Sequence, residues 1–240
     1  MKPRGQALLD LLVRLYPEQE RERLFSRILC GEVQVDGSTL KDPKVPVPSD
    51  AEVVLSARKF VSRGGFKLDP VLEAWNLPVK GQVFLDAGSS TGGFTDALLQ
   101  RGALLVHAVD VGTAQLDWKL RSDARVRVHE GTNVMSLSSL DPPPDAAVAD
   151  LSFRSLRGAA RKILELTTGG WLVALVKPQF EWVGAPADFT GIVPEEQVAA
   201  ILASLQTDLV GEGVWVQAWQ ASSLRGRKGN QEYLAWLTLS

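Results

Sequence analysis

The residues with the clearest chemical possibilities in this chain are carboxylates and glycines at the ends of apolar runs. Val83 to Asp86 is a short apolar run closing on a carboxylate, and Ala87-Gly88-Ser89-Ser90-Thr91-Gly92-Gly93 follows it. A glycine turn between strand and helix lets backbone approach a ligand closely and exposes amides at a helix N-terminus. Leu104 to Asp110 is a second apolar run ending in a carboxylate, placed to accept both hydroxyls of a ribose. Such turns also occur in dinucleotide enzymes, but their fingerprint is Gly-x-Gly-x-x-Gly, and the spacing here does not match it. An acidic strand end suits a cofactor with a positively charged amino-acid end, S-adenosylmethionine, better than it suits a pyrophosphate.

Positioning these groups requires strands that end together at one rim. From Gln82 onward the chain alternates between strand-like and helix-like segments. Strands are expected at 83–86, 104–110, 126–129, 146–150 and 171–176, with helices at 93–101, 156–166 and 195–209. The continuous apolar strand runs predict a parallel sheet covered on both faces. The last two strands, 214–221 and 232–239, alternate more and are joined by the basic loop 224–230, which predicts an antiparallel edge pair. In such sheets ligands bind beyond the carboxyl ends of the strands, where the acidic and glycine residues collect.

Bulk properties narrow the classes. With 240 residues, 45% hydrophobic and 22% charged, the chain can bury a sizeable core, and disorder, collagen and coiled coil fit poorly. One cysteine, Cys30, and two histidines exclude an internal disulfide and a cysteine/histidine zinc site; no metal is expected. Lys2 and Arg4 precede the apolar stretch Ala7 to Leu15, but Asp10 and Arg14 interrupt it and no small-residue cleavage site follows, so neither a signal peptide nor a membrane span is expected. A cytoplasmic location fits best. The formal net charge of -2 means that any nucleic-acid binding must be local.

The first sixty residues have a different grammar. Leu8, Leu11, Leu12 and Leu15 take helical spacing, as do Leu24, Ile28 and Leu29; Gly31 stops the second helix; Val33, Val35 and the Asp36-Gly37 turn read as strand and hairpin; 41–48 is a Pro-punctuated loop and 52–55 a last strand. The run Arg23 to Arg27, then Gly31-Glu32-Val33-Gln34-Val35-Asp36-Gly37 and Pro48-Ser49-Asp50-Ala51-Glu52, resembles the S-four-like RNA-binding module. That resemblance implies an α+β RNA-binding domain over 1–58, a linker over 59–65, and RNA contacts at Arg4, Arg23, Arg27, Lys41 and Arg63. Arg58 adds to the mixed charge of this segment.

Over nearly its whole length the chain resembles the TlyA family of S-four-plus-FtsJ-like proteins. The residues that carry this are Ser62-Arg63-Gly64-Gly65-Phe66-Lys67, Val109-Asp110-Val111-Gly112, Gln115 to Arg121, Thr132-Asn133, Asp150-Leu151-Ser152-Phe153, Val176-Lys177-Pro178-Gln179-Phe180-Glu181 and Gly229-Asn230-Gln231-Glu232-Tyr233-Leu234. Members are described both as hemolysins and as 2'-O-methyltransferases acting on cytidines of ribosomal RNA. The resemblance implies an α/β, Rossmann-like S-adenosylmethionine-dependent methyltransferase domain over 66–240, with a mostly parallel seven-stranded sheet. It also implies a catalytic set at Lys67, Asp150, Lys177 and Glu232, with cofactor contacts at Asp86, Gly88, Ser89, Ser90, Gly92, Gly93, Phe94, Asp110, Val111, Asn133 and Asp150.

The chemistry accounts for those residue types. A ribose 2'-hydroxyl is a poor nucleophile, so one group must orient it and accept its proton. Lys177 is expected to do so, with Lys67 supplying a second positive charge and Asp150 and Glu232 holding the lysine head groups. Trp118, Phe180 and Tyr233 are expected to be packing residues. After Phe180, where the family tends to carry glycine and lysine, Glu181 to Phe189 holds no basic residue. Arg225, Arg227 and Lys228 are expected to compensate at the same sheet edge, and binding to free RNA is expected to be weak and salt-sensitive. Ribosomal RNA or ribosomal subunits are the expected partners. A membrane-active hemolysin and a catalytically silent RNA-binding or assembly protein are the alternatives.

Overall fold

Short elements joined by glycine turns dominate the first part of the chain, and longer buried strands the second. A computed structural model describes residues 5–57, 59–152, 154–226 and 228–240; Arg4, Arg58, Phe153 and Arg227 lie outside the described residues. The chain separates into the units Met1–Arg63 and Gly64–Ser240.

In the first unit, β1 (Gln6–Ala7) leads directly into α1 (Leu8–Leu15), which buries Leu8, Leu9, Leu11 and Leu12. Helix α2 (Arg21–Leu29) buries Leu24 and Ile28 on the same core. Gly31, at φ 73°, ends the helix as expected. Strand β2 (Val33–Val35) pairs with β3 (Ser38–Thr39) across Asp36 and Gly37, whose φ values of 49° and 77° are the two left-handed positions that an Asp-Gly hairpin turn requires. Within the segment expected to be a loop, β4 (Pro46–Val47) pairs antiparallel with β1. Strand β5 (Val53–Leu55) completes a three-stranded sheet in the order β3-β2-β5.

The second unit opens with α3 (Arg63–Ala74), a helix that starts inside the segment expected to be a linker and carries Pro70 in its interior. The parallel strands follow: β6 (Val83–Ala87), β7 (Leu105–Asp110), β8 (Val126–Glu130), β9 (Ala146–Ala149) and β10 (Trp171–Val176). Between them lie α4 (Gly93–Gln100), α5 (Trp118–Arg121), α6 (Ala159–Leu164) and α7 (Pro178–Glu181). Helix α8 (Glu195–Gly211) and strands β11 (Val214–Ala221) and β12 (Tyr233–Leu239) close the unit.

The sheet order is β11-β12-β10-β9-β6-β7-β8. Only β12 runs against its neighbours, β10 and β11; the two last strands form the expected antiparallel pair at this edge of the sheet, with β11 outermost. Every residue of β6, β9 and β10 is buried, which is why these strands read as unbroken apolar runs. One face packs Leu85, Ala147, Leu172 and Leu237 against Ile163 and Leu164 of α6 and Leu205 and Leu209 of α8. The chain leaves β6 toward β7 and β8, then returns to the other side of β6 at β9, so the switch point lies between the ends of β6 and β9.

Candidate active site

Four side chains at the carboxyl rim of this sheet form two lysine–carboxylate pairs. Lys177 follows β10 and precedes Pro178, whose missing N–H and fixed φ start α7 at once. Its Nζ lies 2.6 Å from Asp150 Oδ1 and donates to Leu151 O at 3.0 Å and Ser152 Oγ at 3.2 Å. The Phe180 ring centroid is 6.0 Å from the same nitrogen. Lys67 Nζ pairs with Glu232 Oε2, and both residues are buried, at 8% and 3% exposure. The two pairs meet through the sheet: Val176 is opposite Tyr233 in the antiparallel ladder, so the next step along puts Lys177 opposite Glu232.

Helix α3 is held in this place by its own irregularity. Pro70 has no N–H for the carbonyl of Phe66 four residues earlier, and Ser223 Oγ donates to that carbonyl at 3.1 Å. The helix bearing Lys67 is thereby tied to the loop that precedes Glu232. Within that loop Ser222 N donates to Glu232 O at 2.8 Å and Gly226 N to Asn230 O at 2.9 Å. A Cβ at Gly226 would stand 2.6 Å from Glu232 Oε1, so only glycine lets the loop close over the carboxylate.

The glycine turn after β6 owes its composition to chain packing. Gly88, at φ +84°, would place a Cβ 2.5 Å from Asp150 O, and Gly92, at φ +93°, would drive one into Leu120 and Leu116 at 2.2 and 2.8 Å. Backbone conformation and neighbouring chain therefore already require glycine at both positions, and the turn sits directly against Asp150. Gly93 starts α4 beside Gly64, and Phe94 is buried there. Ser89 is buried, and Ser90, at φ 47°, gives its N–H to Asp110 Oδ2 at 2.8 Å. Asp110 Oδ1 accepts from Gly112 N at 2.7 Å, so each oxygen spends one lone pair on backbone and keeps one. Val111 is exposed beside it, and Asn133 Oδ1 caps the short turn Val134–Ser136 through Met135 N at 3.0 Å.

Asp86 is fully buried. Its Oδ2 accepts from Thr95 Oγ1 at 2.6 Å, in the first turn of α4. Its Oδ1 has no hydrogen-bond partner among the described residues. Burial, opposed by the Thr95 bonds and reinforced by the nearby Asp150 charge, pushes this carboxyl up to about 7.

Sequence reasoning assigned no role to two carboxylates that shape the rim. Glu181, buried in α7, accepts from Leu156 N at 2.9 Å and Arg157 Nη1 at 3.1 Å, and Ser155 Oγ donates to it at 2.5 Å. Burial raises its pKa against the lowering effect of these donors. It joins the turn carrying Lys177 to the segment that follows Asp150. Glu130, at the tip of β8, accepts from Arg121 Nη2 at 2.7 Å and from the N–H groups of Ala114, Gln115 and Leu116. Arg121 and these amides hold its carboxyl down at about 2. A carboxylate closing the third parallel strand, as Asp86 and Asp110 close the first two, was the signal that would have found it.

The candidate RNA contacts divide. Arg23, Lys41, Arg225 and Lys228 are exposed, and Arg63 is half-buried at the start of α3. Arg27 is turned inward: it donates to Ser56 O and pairs with Glu32 at 3.3 Å, its side chain only 11% exposed, because Glu32 is buried and needs a cation. Trp118 is not a packing residue; it is 76% exposed at the start of α5, while Leu116 and Leu120 beside it are buried. Tyr233 packs against the sheet core as expected.

Comparison with known proteins adds four findings. A family model described as FtsJ-like methyltransferase matches residues 60–239. The chain is 39% identical over 236 residues to the 16S/23S rRNA (cytidine-2'-O)-methyltransferase TlyA of Mycobacterium tuberculosis, covering 94% of this chain and 87% of that one. Among solved structures, a hemolysin-designated protein of Streptococcus thermophilus superposes with a TM-score of 0.73 at 36% identity, over 100% of this chain and 90% of its own. The magnesium protoporphyrin IX methyltransferase of Synechocystis, solved with S-adenosylmethionine, shares the fold at 14% identity and a TM-score of 0.52, over 97% of each chain.

Proposed function

The chain belongs to the FtsJ-like methyltransferase family and within it to the TlyA group, and on that premise we propose that it transfers a methyl group from S-adenosylmethionine to the 2'-oxygen of a cytidine in ribosomal RNA. The observation that carries this reading is the pairing of Lys177 with Asp150 against the glycine turn, opposite the buried Lys67–Glu232 pair. The rim fits the cofactor: Asp86 Oδ1 is a buried acceptor without a partner, suited to an ammonium group, and Asp110 keeps one lone pair on each oxygen for ribose hydroxyls. Bound S-adenosylmethionine supplies a methyl group activated by its sulfonium.

The protein's own part is orientation and proton handling. Lys177 holds the 2'-hydroxyl and, once its own ammonium proton has left to solvent, receives the hydroxyl proton as the oxygen–carbon bond forms and the carbon–sulfur bond breaks, and Asp150 stabilises the resulting ammonium. Lys67, fixed by Glu232, supplies a second positive charge for the hydroxyl or an adjacent phosphate. Pre-alignment of two bound reactants is worth up to about 7–11 kcal/mol of barrier, so rigid pairs suit the task. Met1–Arg63 serves as the S-four-like RNA-binding domain, with Arg23 and Lys41 facing RNA, while Arg27 braces Glu32. Arg225 and Lys228 add basic contacts near the catalytic rim. A ribosomal substrate fits a cytoplasmic location.

Lys177→Ala tests the mechanism. Cofactor binding by calorimetry is expected to persist while methyl incorporation into ribosomal RNA or subunits falls by about 100-fold or more; undiminished transfer overturns the assignment. The hemolysin designation of the Streptococcus relative gains no support from the site, and no helix among the described residues is long and apolar enough to cross a membrane.

A further inference from the structure

The segment between α7 and α8 is pinned at several points yet presents apolar side chains to solvent. At its start, Glu181 is buried among Ser155, Leu156 and Arg157. Near its end, Asn230 uses both ends of its amide on it: Nδ2 donates to Gly191 O at 2.7 Å and Oδ1 accepts from Val193 N at 2.9 Å. Lys228 Nζ donates to Thr190 O at 3.2 Å. Trp182 and Phe189 close the loop on itself, edge to face, with ring centroids 5.2 Å apart. Between these ties Val183 and Ile192 are 73% and 57% exposed. The loop starts four residues after Lys177 and is bolted to the chain two residues before Glu232, so both of its ends are tied beside the catalytic rim.

Ordering a loop costs conformational entropy, and this one is ordered with its hydrophobic residues unburied. Residues 181–193 contain no lysine or arginine, and Glu181 and Asp188 are their only charged residues. A surface of that composition cannot neutralise phosphates, which is what positions a nucleic acid without reading its bases. It can pack against the apolar faces of bases that have left their stack, the form in which single-stranded RNA is commonly recognised. We propose that the 182–193 loop is the platform for unstacked bases flanking the target ribose, with Val183 and Ile192 as its contact residues and Asn230 as the latch that pre-forms it. The proposal rests on the reading of the protein as an RNA methyltransferase and names the part of the site that meets bases instead of backbone.

The test is a Val183→Ser/Ile192→Ser double variant, whose exposed positions leave the fold intact, as a thermal melt confirms. Methyl incorporation and fluorescence-anisotropy binding are measured on purified ribosomal RNA and on ribosomal subunits across a salt series. The double variant is expected to raise the RNA KM and Kd about tenfold on both substrates, with kcat and cofactor Kd unchanged and the slope of log Kd against log salt unaltered. Arg225→Ala, by contrast, is expected to lower that slope by about 0.7 to 0.9, the signature of one lost phosphate contact. Unchanged KM and Kd in the double variant overturn the platform, as does a changed salt slope. A loss confined to assembled subunits also overturns it, because the partner is then a ribosomal protein. Failure of the wild-type chain to transfer methyl groups would sink the functional reading instead, and the binding arm would still decide the platform.

Discussion

Replacing Asp86 by Asn removes a charge from the most secluded position of the rim and leaves the shape intact. The carboxyl is raised from 3.8 to about 7 in the folded protein, which corresponds to a penalty of about 4 kcal/mol on its ionised form. An acid whose pKa is higher folded than unfolded holds a proton that the unfolded chain has released. Stability therefore falls as pH rises from about 4 to about 7, and the whole penalty is felt above 7. The Asn variant carries no such penalty. Its stability relative to wild type is expected to climb by about 2–3 kcal/mol between pH 5 and pH 8, which amounts to about 5–10 °C of melting temperature for a unit of this size. Any pH-independent cost of an amide nitrogen at the partnerless Oδ1 position cancels from that comparison.

All seven tryptophans lie between Trp75 and Trp236, so urea unfolding followed by tryptophan fluorescence reports the methyltransferase unit specifically. The same substitution addresses the cofactor. If an ammonium takes Oδ1, binding selects the ionised carboxylate, and wild-type affinity for S-adenosylmethionine is expected to be about tenfold weaker at pH 6 than at pH 8. The Asn variant is expected to bind more weakly at pH 8 and to lose most of this pH dependence. Parallel stability profiles for the two proteins from pH 5 to 8 would refute the reasoning about burial, and identical cofactor affinities at pH 8 would refute the contact.

Two further substitutions probe the supports of the lysines. Glu232→Ala leaves Lys67 buried without its carboxylate and is expected to cost about 3–5 kcal/mol and to abolish methyl transfer; equilibrium unfolding and methyl incorporation, with Glu232→Gln as the milder comparison, check both. Glu181→Ala strands the buried Leu156 N–H and takes one carboxylate from Arg157, which keeps Asp208 and the main-chain carbonyl of residue 181, and is expected to cost about 1–3 kcal/mol and to lower kcat more than it raises KM. Glu181→Gln should restore part of kcat by accepting from Leu156 again, and equal effects of the two variants would show that Glu181 does not set the lysine geometry.

Features that depend on sequence-local physics were legible before the structure. Buried strands announced themselves as apolar runs, the Asp36-Gly37 hairpin by residue type, and the polar rim of the sheet by acidic strand ends followed by glycine. Helix α3 was not legible because Gly64, Gly65 and Pro70 disguise it, and Ser223, 157 residues beyond Phe66, donates to the carbonyl that Pro70 leaves without its helical partner. Strands β1 and β4 are two residues each, too short to show a period. The ion pair that turns Arg27 inward, the exposure of Trp118 and the bracing by Glu181 depend on partners brought together by the fold, which composition and spacing do not encode.

The position of β12 carries a consequence for the life of the chain. It follows β11 in the sequence but lies inside it in the sheet, and β11 bonds to no other strand. Until β12 arrives, β10 presents an open edge and β11 has nothing to pair with. Its insertion seals both ladders and in the same event brings Glu232 to Lys67 and opposite Lys177. A chain whose sheet is unfinished thus lacks its second lysine pair, so on the catalytic roles proposed for Lys67 and Glu232 completion of the sheet and completion of the site are one event.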